Sequence, residues 1–416
     1  MKVQGFLKLP GDKSLSHRAL LLAALSRGHC RINNPNSGDD VLSTAKCLQA
    51  CGIRLNHDHG KFLIDGGSLR NPSELLDCGN SGTTARLLSG FLCGQGIAAT
   101  LVGDKSLSSR PMKRVVDPLM LMGGSLKSTA HKLPLEIYSS TLKGTFHELS
   151  VPSAQVKSCL LFAGLGAEGV TTVADPFATR DHTERMFEAL GLPLTVRGAQ
   201  ISTSKLIRSI DGFEYDLPGD FSTAAFFIAL TTILPDSDLI IYDVLLNQTR
   251  LGFLDVLNRM GANIQVLSEK IIFGERRGDL RIQGVRELQS FEISGDETVR
   301  LIDEVPLLSF LGAVSFGESK ISGAGELRHK ESDRLKAMSQ NLKTLGVNLS
   351  ESQDGLIIGG PTKLKSGLVS SFGDHRIAMT MLIAKIFCGQ DIQIDDCACI
   401  KISCPEFISM LDSLIV

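Results

Sequence analysis

The sequence predicts a two-domain α/β protein that repeats one structural unit six times, three times in each half. The first observation is a polar turn containing glycine or proline that leads directly into an apolar helix and returns about every 65 to 85 residues. The second is a glycine that follows a helix and precedes a short extended run, as a helix C-cap does before a strand. The spacing exceeds that of the usual solenoid repeats.

The turns and the glycine caps mark the predicted elements in chain order. The turns lie at residues 11–18, 78–88, 151–161, 217–226, 303–308 and 373–379. The caps are Gly52, Gly123, Gly191, Gly261 and Gly346. The helix after the first turn should be buried on nearly all sides, because its apolar residues do not keep to one face, and each of the other turns should likewise lead into an apolar helix.

The repeats divide into two predicted domains. We expect residues 13–217 to form the first domain and residues 1–12 plus 218–416 to form the second. The hinge is expected near residues 11–13 and 217–220, so two connections cross between the domains. Two domains with a cleft between them suit an enzyme that closes on its substrate, although two rigidly packed halves fit the same pattern.

Composition excludes several classes of protein. The chain has 416 residues, of which 43% are hydrophobic and 21% are charged, an ordinary balance for a globular protein. Its net charge of −2 argues against general binding to nucleic acid or membrane surfaces. The longest apolar stretch, residues 224–234, is too short to cross a bilayer. The ten cysteines are scattered, and the cluster of Cys397, Cys399 and Cys404 fits no common zinc spacing. We therefore expect a cytoplasmic protein with reduced thiols and no metal.

The first turn is predicted to hold a phosphate or a carboxylate. Ser14 is expected to be the N-cap of the helix, with Arg18 one turn further on the same face. The free N–H groups of the first turn carry partial positive charge, and Lys13 and Arg18 add two full charges. A nucleotide P-loop is excluded, because Asp12 and not glycine precedes Lys13. A capped helix with two solvated cations remains an open alternative.

Further cations and two carboxylates recur at the other turns. Taken singly, each cation is more readily a surface charge, but their recurrence at equivalent points favours a site for substrates with several negative charges. Asp303 and Glu331 lie among them and fit either proton transfer or simple structural roles, as an N-cap and in an ion-paired turn. Spacing alone leaves both possibilities open. The cations are Arg86, Arg110, Arg180, Lys330, Arg334 and Arg376.

Seven segments in register resemble the 5-enolpyruvylshikimate-3-phosphate synthase family of enolpyruvyl transferases. They are residues 11–18, 79–83, 109–111, 153–155, 179–184, 328–334 and 374–376. The resemblance runs from Lys8 to about Phe407 and implies a two-domain inside-out α/β barrel in which each domain has three βαβαββ repeats. It also implies transfer of the carboxyvinyl group of phosphoenolpyruvate to the 5-hydroxyl of shikimate-3-phosphate, a step of the shikimate pathway.

The resemblance also implies the site residues. Shikimate-3-phosphate is assigned to Lys13, Ser14, Arg18, Ser153, Ala154, Gln155, Arg180, Asp303 and Lys330. Phosphoenolpyruvate is assigned to Lys13, Asn80, Gly82, Arg110, Gln155, Arg334 and Arg376. We expect Asp303 to be the base, Glu331 the acid, and Lys13 to stabilise charge on phosphate. No cofactor is implied, the expected partners are the two small substrates alone, and we expect a monomer.

Some residues depart from the family pattern or bear on rival functions. Lys401 lies one position earlier than the lysine of many members, which leaves its role open. Gly82 leaves room beside phosphoenolpyruvate, so we expect inhibition by the anionic competitor glyphosate. One rival is the related transferase acting on UDP-N-acetylglucosamine, which has asparagine where this chain has Ser14 and a cysteine in the loop around Arg110. The other is a non-catalytic anion-binding homologue, which the presence of both candidate carboxylates disfavours.

Overall fold

The structure, a computed structural model, describes residues 1–67, 69–389 and 391–416. Its α-helices are α1 (Lys13–Leu25), α2 (Asp39–Ala50), α3 (Gly82–Gly94), α4 (Lys105–Ser109), α5 (Lys113–Leu121), α6 (Ala154–Gly164), α7 (His182–Ala189), α8 (Phe221–Ile233), α9 (Gly252–Met260), α10 (Gly295–Arg300), α11 (Val305–Val314), α12 (Arg334–Thr344), α13 (His375–Cys388) and α14 (Phe407–Leu414). Short 3-10 helices cover Gln248–Arg250, Ile302–Glu304, Gly325–His329 and Ala398–Ile402.

The strands are mostly short. They are β1 (Gln4–Lys8), β2 (Ser26–Arg27), β3 (His29–Asn33), β4 (Arg54–Asp58), β5 (Lys61–Asp65), β6 (Leu76–Asp77), β7 (Ala99–Val102), β8 (Ser125–Ser128), β9 (Leu135–Tyr138), β10 (Phe146–Glu148), β11 (Val170–Ala174), β12 (Leu194–Arg197), β13 (Gln200–Ser204), β14 (Ile210–Asp211), β15 (Glu214–Asp216), β16 (Asp238–Leu245), β17 (Asn263–Ile272), β18 (Glu275–Gln283), β19 (Glu292–Ile293), β20 (Gly317–Ile321), β21 (Leu349–Glu351), β22 (Leu356–Gly360), β23 (Gly367–Val369) and β24 (Ile392–Ile394).

The chain divides into two compact units. The first unit consists of Gly11–Leu217 and Ile272–Glu275, and the second of Met1–Pro10, Pro218–Ile271 and Arg276–Val416. In the first unit the ring of Phe273 stacks on that of Tyr215, with centroids 4.3 Å apart. The short turn 272–275 therefore packs with residues that are distant in sequence.

The first unit contains one sheet topology three times over. Its four-stranded sheets have the orders β15-β3-β5-β4, β6-β7-β9-β8 and β10-β11-β13-β12. In each, the first two strands are parallel and the remaining neighbours are antiparallel. Because a parallel pair needs a crossover, a helix follows the first strand in two of these pairs, α3 after β6 and α6 after β10, whereas in the third pair β15 comes after β3 in the chain.

Helices α1, α3 and α6 form the interior of the first unit. Residues 15–24 of α1 are all buried, and so are residues 156–164 of α6. Helices α3 and α6 approach closely because Gly90 has no side chain: a Cβ there would lie 1.9 Å from the carbonyl oxygen of Cys159. The sheets cover these helices and expose alternate residues, as in β3.

The second unit repeats the arrangement with a shorter third sheet. Its described sheets have the orders β1-β16-β18-β17, β19-β20-β22-β21 and β23-β24, each beginning with a parallel pair. The crossover helices α8, α11 and α13 are again largely buried, and every residue of α8 is. All six predicted turns therefore begin a buried helix, which confirms that part of the prediction.

The glycine caps are confirmed, whereas the predicted N-cap of α1 is wrong. The five predicted glycines follow α2, α5, α7, α9 and α12 and adopt φ between +66° and +95°, a conformation that residues with a Cβ rarely adopt. At α1 the cap is Asp12 and not Ser14, because the Asp12 carboxylate accepts a hydrogen bond from the Leu15 amide at 2.9 Å. Ser14 is the second residue of the helix.

Three observations on the described residues concern membranes, metals and thiols. None of the described helices combines the length and apolar character needed to span a bilayer. Nor do the described His, Cys, Asp and Glu side chains form a group of three or more suited to a metal ion. The ten cysteines are free thiols.

Candidate active site

In the first unit, the N-terminal turns of α1, α3 and α6 lie side by side. Arg18 of α1 donates to the Ser158 hydroxyl of α6 at 2.7 Å. Arg86 of α3 donates to the side-chain oxygen of Gln155 on α6 at 2.7 Å, and Gln155 donates to Thr83 of α3 at 2.9 Å. Three helix N-termini in one region give a strong preference for anions, because their unpaired N–H groups point outward from the helix starts.

Lys13 opens α1 and is held beside an acid. Its ammonium nitrogen lies 3.1 Å from a carboxylate oxygen of Asp40, in the first turn of α2. The carbonyl of Asp40 in turn accepts a hydrogen bond from Thr84 of α3 at 3.1 Å. The Lys13 side chain is 16% exposed, so part of it remains accessible to solvent.

Arg18 is buried and oriented by three hydrogen bonds. Besides Ser158, it donates to the Thr183 hydroxyl at 2.8 Å and to the carbonyl of Ser14 at 2.9 Å. Burial lowers the pKa of Arg18 to about 10, although Glu184 and Asp12 oppose the shift. The guanidinium therefore remains charged at neutral pH and keeps a fixed direction.

Gly82 makes room for two guanidinium groups at the start of α3. A Cβ at this position would lie 2.6 Å from Nη1 of Arg86 and 3.4 Å from Nη1 of Arg110. Arg110 is fixed by hydrogen bonds to the side-chain oxygen of Asn80 at 2.7 Å and to the Ser106 hydroxyl at 3.2 Å. Glycine at this position thus permits a paired cationic surface that a larger residue would disturb.

The remaining predicted residues of this unit lie at the start of α6 and just before α7. Ser153 caps α6 by accepting a hydrogen bond from the Val156 amide at 3.4 Å. Ala154 is the first residue of the helix and Gln155 the second. Arg180 is half-buried in the loop between β11 and α7.

In the second unit, three cations surround Asp303. Its carboxylate oxygens lie 3.3 Å from Arg334, 3.6 Å from Lys330 and 3.7 Å from Arg376. Arg376 also donates to the backbone carbonyl of Asp303 at 3.0 Å. The arrangement places a candidate proton acceptor among three fixed cations.

Arg334 links the carboxylates of this cluster. It donates to Asp374 at 2.8 and 3.2 Å and to Glu331 at 2.6 Å. Although burial opposes the charged form, Asp374 and Glu331 raise the pKa of Arg334 above its usual value. Burial likewise acts against an ionised Asp374, and Arg334 nevertheless lowers the pKa of that carboxyl. The pair is charged and oriented in the interior.

Sequence reasoning missed Glu304, which extends the cluster. The Ser222 hydroxyl donates to the Glu304 carboxylate, and Arg250 donates to that hydroxyl at 2.6 Å. A nitrogen of Arg376 lies 3.6 Å from the same carboxylate. The sequence feature that could have indicated Glu304 was an acid next to Asp303 at the start of a buried helix.

Asp374 was also missed as the partner of Arg334. The feature that could have indicated it was its place as the N-cap of α13.

The predicted site residues thus fall into two local sets. The first unit holds Lys13, Ser14, Arg18, Asn80, Gly82, Arg110, Ser153, Ala154, Gln155 and Arg180. The second unit holds Asp303, Lys330, Glu331, Arg334 and Arg376, which the structure brings into one cluster. Lys401 is exposed in the 3-10 helix Ala398–Ile402.

The backbone is similar to those of enolpyruvyl transferases. The enolpyruvyl transferase NikO from Streptomyces tendae gives a TM-score of 0.79 at 18% identity, over 99% of this chain and 95% of that one, a likeness of fold alone. EPSP synthase from Acinetobacter baumannii gives a TM-score of 0.87 at 36% identity, over 99% of this chain and 96% of that one. The protein thus has the enolpyruvyl transferase fold, an α/β fold of two inside-out barrel domains with three βαβαββ repeats each, as the resemblance implied.

Sequence comparison narrows the class to a family. The profile of the family described as EPSP synthase (3-phosphoshikimate 1-carboxyvinyltransferase) matches residues 1–411. The 3-phosphoshikimate 1-carboxyvinyltransferase of Thermodesulfovibrio yellowstonii is 41% identical over an alignment of 418 positions that covers 99% of this chain and 97% of that enzyme. The chain therefore belongs to the EPSP synthase family of transferases, which confirms the resemblance.

Proposed function

We propose that this chain transfers the carboxyvinyl group of phosphoenolpyruvate to the 5-hydroxyl of shikimate-3-phosphate and releases phosphate, a step of the shikimate pathway towards aromatic amino acids. The observation that carries the proposal is 41% identity, over 99% of the chain, with an enzyme named for this transfer. The two clusters of cations and carboxylates supply the chemistry that such a transfer needs.

The charges of the substrates match the residues available. Each substrate carries one carboxylate and one phosphate, so fixed cations and backbone N–H groups are needed at several points. In this proposal shikimate-3-phosphate is bound by Lys13, Ser14, Arg18, Ser153, Ala154, Gln155, Arg180, Asp303 and Lys330. Phosphoenolpyruvate is bound by Lys13, Asn80, Gly82, Arg110, Gln155, Arg334 and Arg376.

In this proposal two carboxyl groups carry out the proton transfers of the reaction. Asp303 takes the proton of the 5-hydroxyl as its oxygen bonds to the enol carbon, and Glu331 gives a proton to the methylene carbon. The resulting tetrahedral adduct then loses a proton from the new methyl group, the double bond re-forms, and phosphate departs from the enol carbon. Lys13 stabilises the charge on that phosphate.

The remaining expectations belong to the same proposal. The enzyme acts as a monomer in the cytoplasm on these two small molecules, without nucleic acid, membrane, metal or organic cofactor. Its domains are residues 13–217 and residues 1–12 plus 218–416, and the hinge lies near residues 11–13 and 217–220. The oligomeric state is tested by sedimentation of the free enzyme.

Acceptor specificity is the direct test of the function. We expect phosphate release from phosphoenolpyruvate with shikimate-3-phosphate and none above background with UDP-N-acetylglucosamine. The reason is that this chain has Ser14 where the related enzyme has asparagine, and no cysteine in the loop around Arg110. The measurement is a coupled phosphate assay with each acceptor. Release with UDP-N-acetylglucosamine alone would favour the related activity, and binding of shikimate-3-phosphate without turnover would favour the non-catalytic homologue.

Gly82→Ala is expected to raise the KM for phosphoenolpyruvate roughly 5- to 150-fold, the equivalent of an overpacking strain of about 1–3 kcal/mol. The added Cβ would lie 2.6 Å from Nη1 of Arg86 and must displace it.

Wild-type enzyme should be inhibited by millimolar glyphosate, and the Gly82→Ala variant should be inhibited less, because glyphosate and phosphoenolpyruvate are both anions that use the same cations. Gly90→Ala is not a suitable control, since it collides with backbone. Gly359→Ala is preferable, because its φ is not positive and its Cβ would come no nearer than 3.5 Å to another atom, the carbonyl oxygen of Asn348. An unchanged KM in Gly82→Ala would contradict the prediction.

A further inference from the structure

We propose, building on the proposed function, that Lys157 is a positioning residue that holds the Arg180 loop and the start of α7 for shikimate-3-phosphate. Lys157 was in none of the predicted site sets. It lies on α6 two residues after Gln155, and its side chain is 2% exposed. A lysine so deeply buried requires a reason in its contacts, because lysine is almost never fully buried unless it is paired.

Each N–H of the Lys157 ammonium group has an acceptor. The nitrogen lies 2.9 Å from a carboxylate oxygen of Asp175, 2.7 Å from one of Glu184 and 3.1 Å from the carbonyl of Thr179. An ammonium group has three donors, so this set uses all of them. Lys157 is therefore fully engaged within the protein and has no donor left for a substrate.

These acceptors tie together three consecutive parts of the chain. Asp175 follows β11, Thr179 directly precedes Arg180, and Glu184 lies in the first turn of α7. Asp175 adds to the restraint by accepting hydrogen bonds from the Thr179 amide at 2.9 Å and the Thr179 hydroxyl at 2.7 Å. The backbone on both sides of Arg180 is thereby fixed to α6.

Hydrogen bonds also connect Arg18 to the residues next to Lys157 and Glu184 in the chain. Thr183, next to Glu184, accepts a hydrogen bond from Arg18 at 2.8 Å, and Ser158, next to Lys157, accepts one at 2.7 Å. The hydroxyls of Ser158 and Thr183 are 2.7 Å apart. A shift of α7 relative to α6 would therefore move Arg18 as well as Arg180, and both are assigned to shikimate-3-phosphate.

The charges of the cluster favour the same arrangement. Burial acts against the ammonium form, but Glu184 and Asp175 raise the pKa of Lys157 above its usual value. Lys157 in turn lowers the pKa of the Asp175 carboxyl against the effect of burial. Lys157 and Asp175 therefore stay charged at neutral pH, and a hydrogen bond between charged groups makes the attachment of the loop strong and directional.

The test separates positioning from simple stabilisation. We expect Lys157→Met to raise the KM and the Kd for shikimate-3-phosphate roughly 10- to 100-fold, as misplacement of binding groups by about 1 Å does. The KM for phosphoenolpyruvate should change less than about threefold, because the residues that Lys157 holds in place, Arg18 and Arg180, are assigned to shikimate-3-phosphate and not to phosphoenolpyruvate. Steady-state kinetics with each substrate and calorimetric titration of shikimate-3-phosphate give these values, and thermal unfolding gives the stability.

Two further variants keep the test decisive. Because Lys157→Met leaves two buried carboxylates without their cation, the triple variant Lys157→Met/Asp175→Asn/Glu184→Gln removes those charges and should fold while still binding shikimate-3-phosphate weakly. Asp243→Asn is the control, since it weakens the ion pair with the buried Arg277 in the second unit and should lower the melting temperature without changing either KM.

The outcomes distinguish this inference from the proposed function. Equal increases in both KM values, or a loss of stability with both KM values unchanged, would overturn the role of Lys157. A wild-type enzyme that binds shikimate-3-phosphate without turnover would refute the proposed function, while the Kd of the variants would still decide the role of Lys157. A wild-type enzyme that does not bind shikimate-3-phosphate would overturn both.

Discussion

Replacing Asp303 with asparagine is expected to slow turnover about 10²–10⁴-fold, the usual contribution of a positioned proton-transfer group, and Glu331→Gln should have an effect of the same order. Both substitutions keep the size of the side chain and remove its ability to exchange a proton. Asp303 lies among three cations, at 3.3 to 3.7 Å, so its position is fixed before substrate arrives. The measurement is the rate of phosphate release at saturating substrates.

The pH dependence assigns the two roles. A base must be deprotonated to act, so Asp303→Asn should lose the rise of kcat with pH at the acidic end of the profile. An acid must be protonated, so Glu331→Gln should lose the fall at the alkaline end. The reverse pattern would exchange the two assignments.

A matched control lies in the same segment. Asp333 pairs with Arg328 and caps α12 by accepting from the Lys336 amide at 3.0 Å, so Asp333→Asn changes a nearby carboxylate and keeps a residue suited to an N-cap. This variant should retain nearly wild-type turnover. If neither Asp303→Asn nor Glu331→Gln slows turnover more than about tenfold, the proton-transfer assignments are wrong.

Local features made the repeat predictable from sequence. Each buried helix follows a chain break and carries apolar residues on all sides, and both signals lie within about a dozen residues. The glycine caps were predictable for the same reason, because a positive φ after a helix is a requirement of one residue and not of its distant neighbours. The cap of α1 was misassigned because Asp12 and Ser14 both have side chains suited to capping, and the sequence does not show which one accepts from the Leu15 amide.

Pairings between distant residues were not predictable. Arg334 and Asp374 are 40 residues apart, and Lys157 and Asp175 are 18 residues apart, so no helical or strand period relates them. The turn 272–275 is a further case, since its stacking of Phe273 on Tyr215 depends on the folded first unit. The pairing of these residues therefore depends on the folded structure and could not be predicted from the sequence.

Removing Arg334 should cost both activity and stability. Arg334→Met leaves Asp374, which is fully buried, without the cation that donates to it at 2.8 Å. Loss of one partner of a buried ion pair typically lowers the free energy of unfolding by about 3–5 kcal/mol. In the proposed site the same guanidinium binds phosphoenolpyruvate, so kcat/KM should fall roughly 30- to 5,000-fold, the equivalent of about 2–5 kcal/mol for a desolvated charge contact.

The effect of pH on stability identifies the cause. In the wild type Arg334 lowers the pKa of Asp374 below its unfolded value of about 3.9, so the carboxylate contributes stability above that pH and loses the contribution as the pH falls through the folded pKa. In Arg334→Met burial and the neighbouring Glu331 carboxylate remain, and both raise the pKa of the Asp374 carboxyl, so the sign of its contribution to stability should reverse. The destabilisation should therefore be greater near pH 7 than near pH 4, as measured by urea unfolding at both values.

A second substitution separates the structural role of Arg334 from its role in binding. Asp374→Asn added to Arg334→Met removes the unpaired buried charge and keeps an acceptor for the Arg376 amide, which Asp374 binds at 2.9 Å. The double variant should recover much of the stability and lose its dependence on pH, yet remain as slow as the single variant, because the cation for phosphoenolpyruvate is still missing. Recovery of activity together with stability would mean that Arg334 only supports the fold, and the assignment of phosphoenolpyruvate to it would then fail.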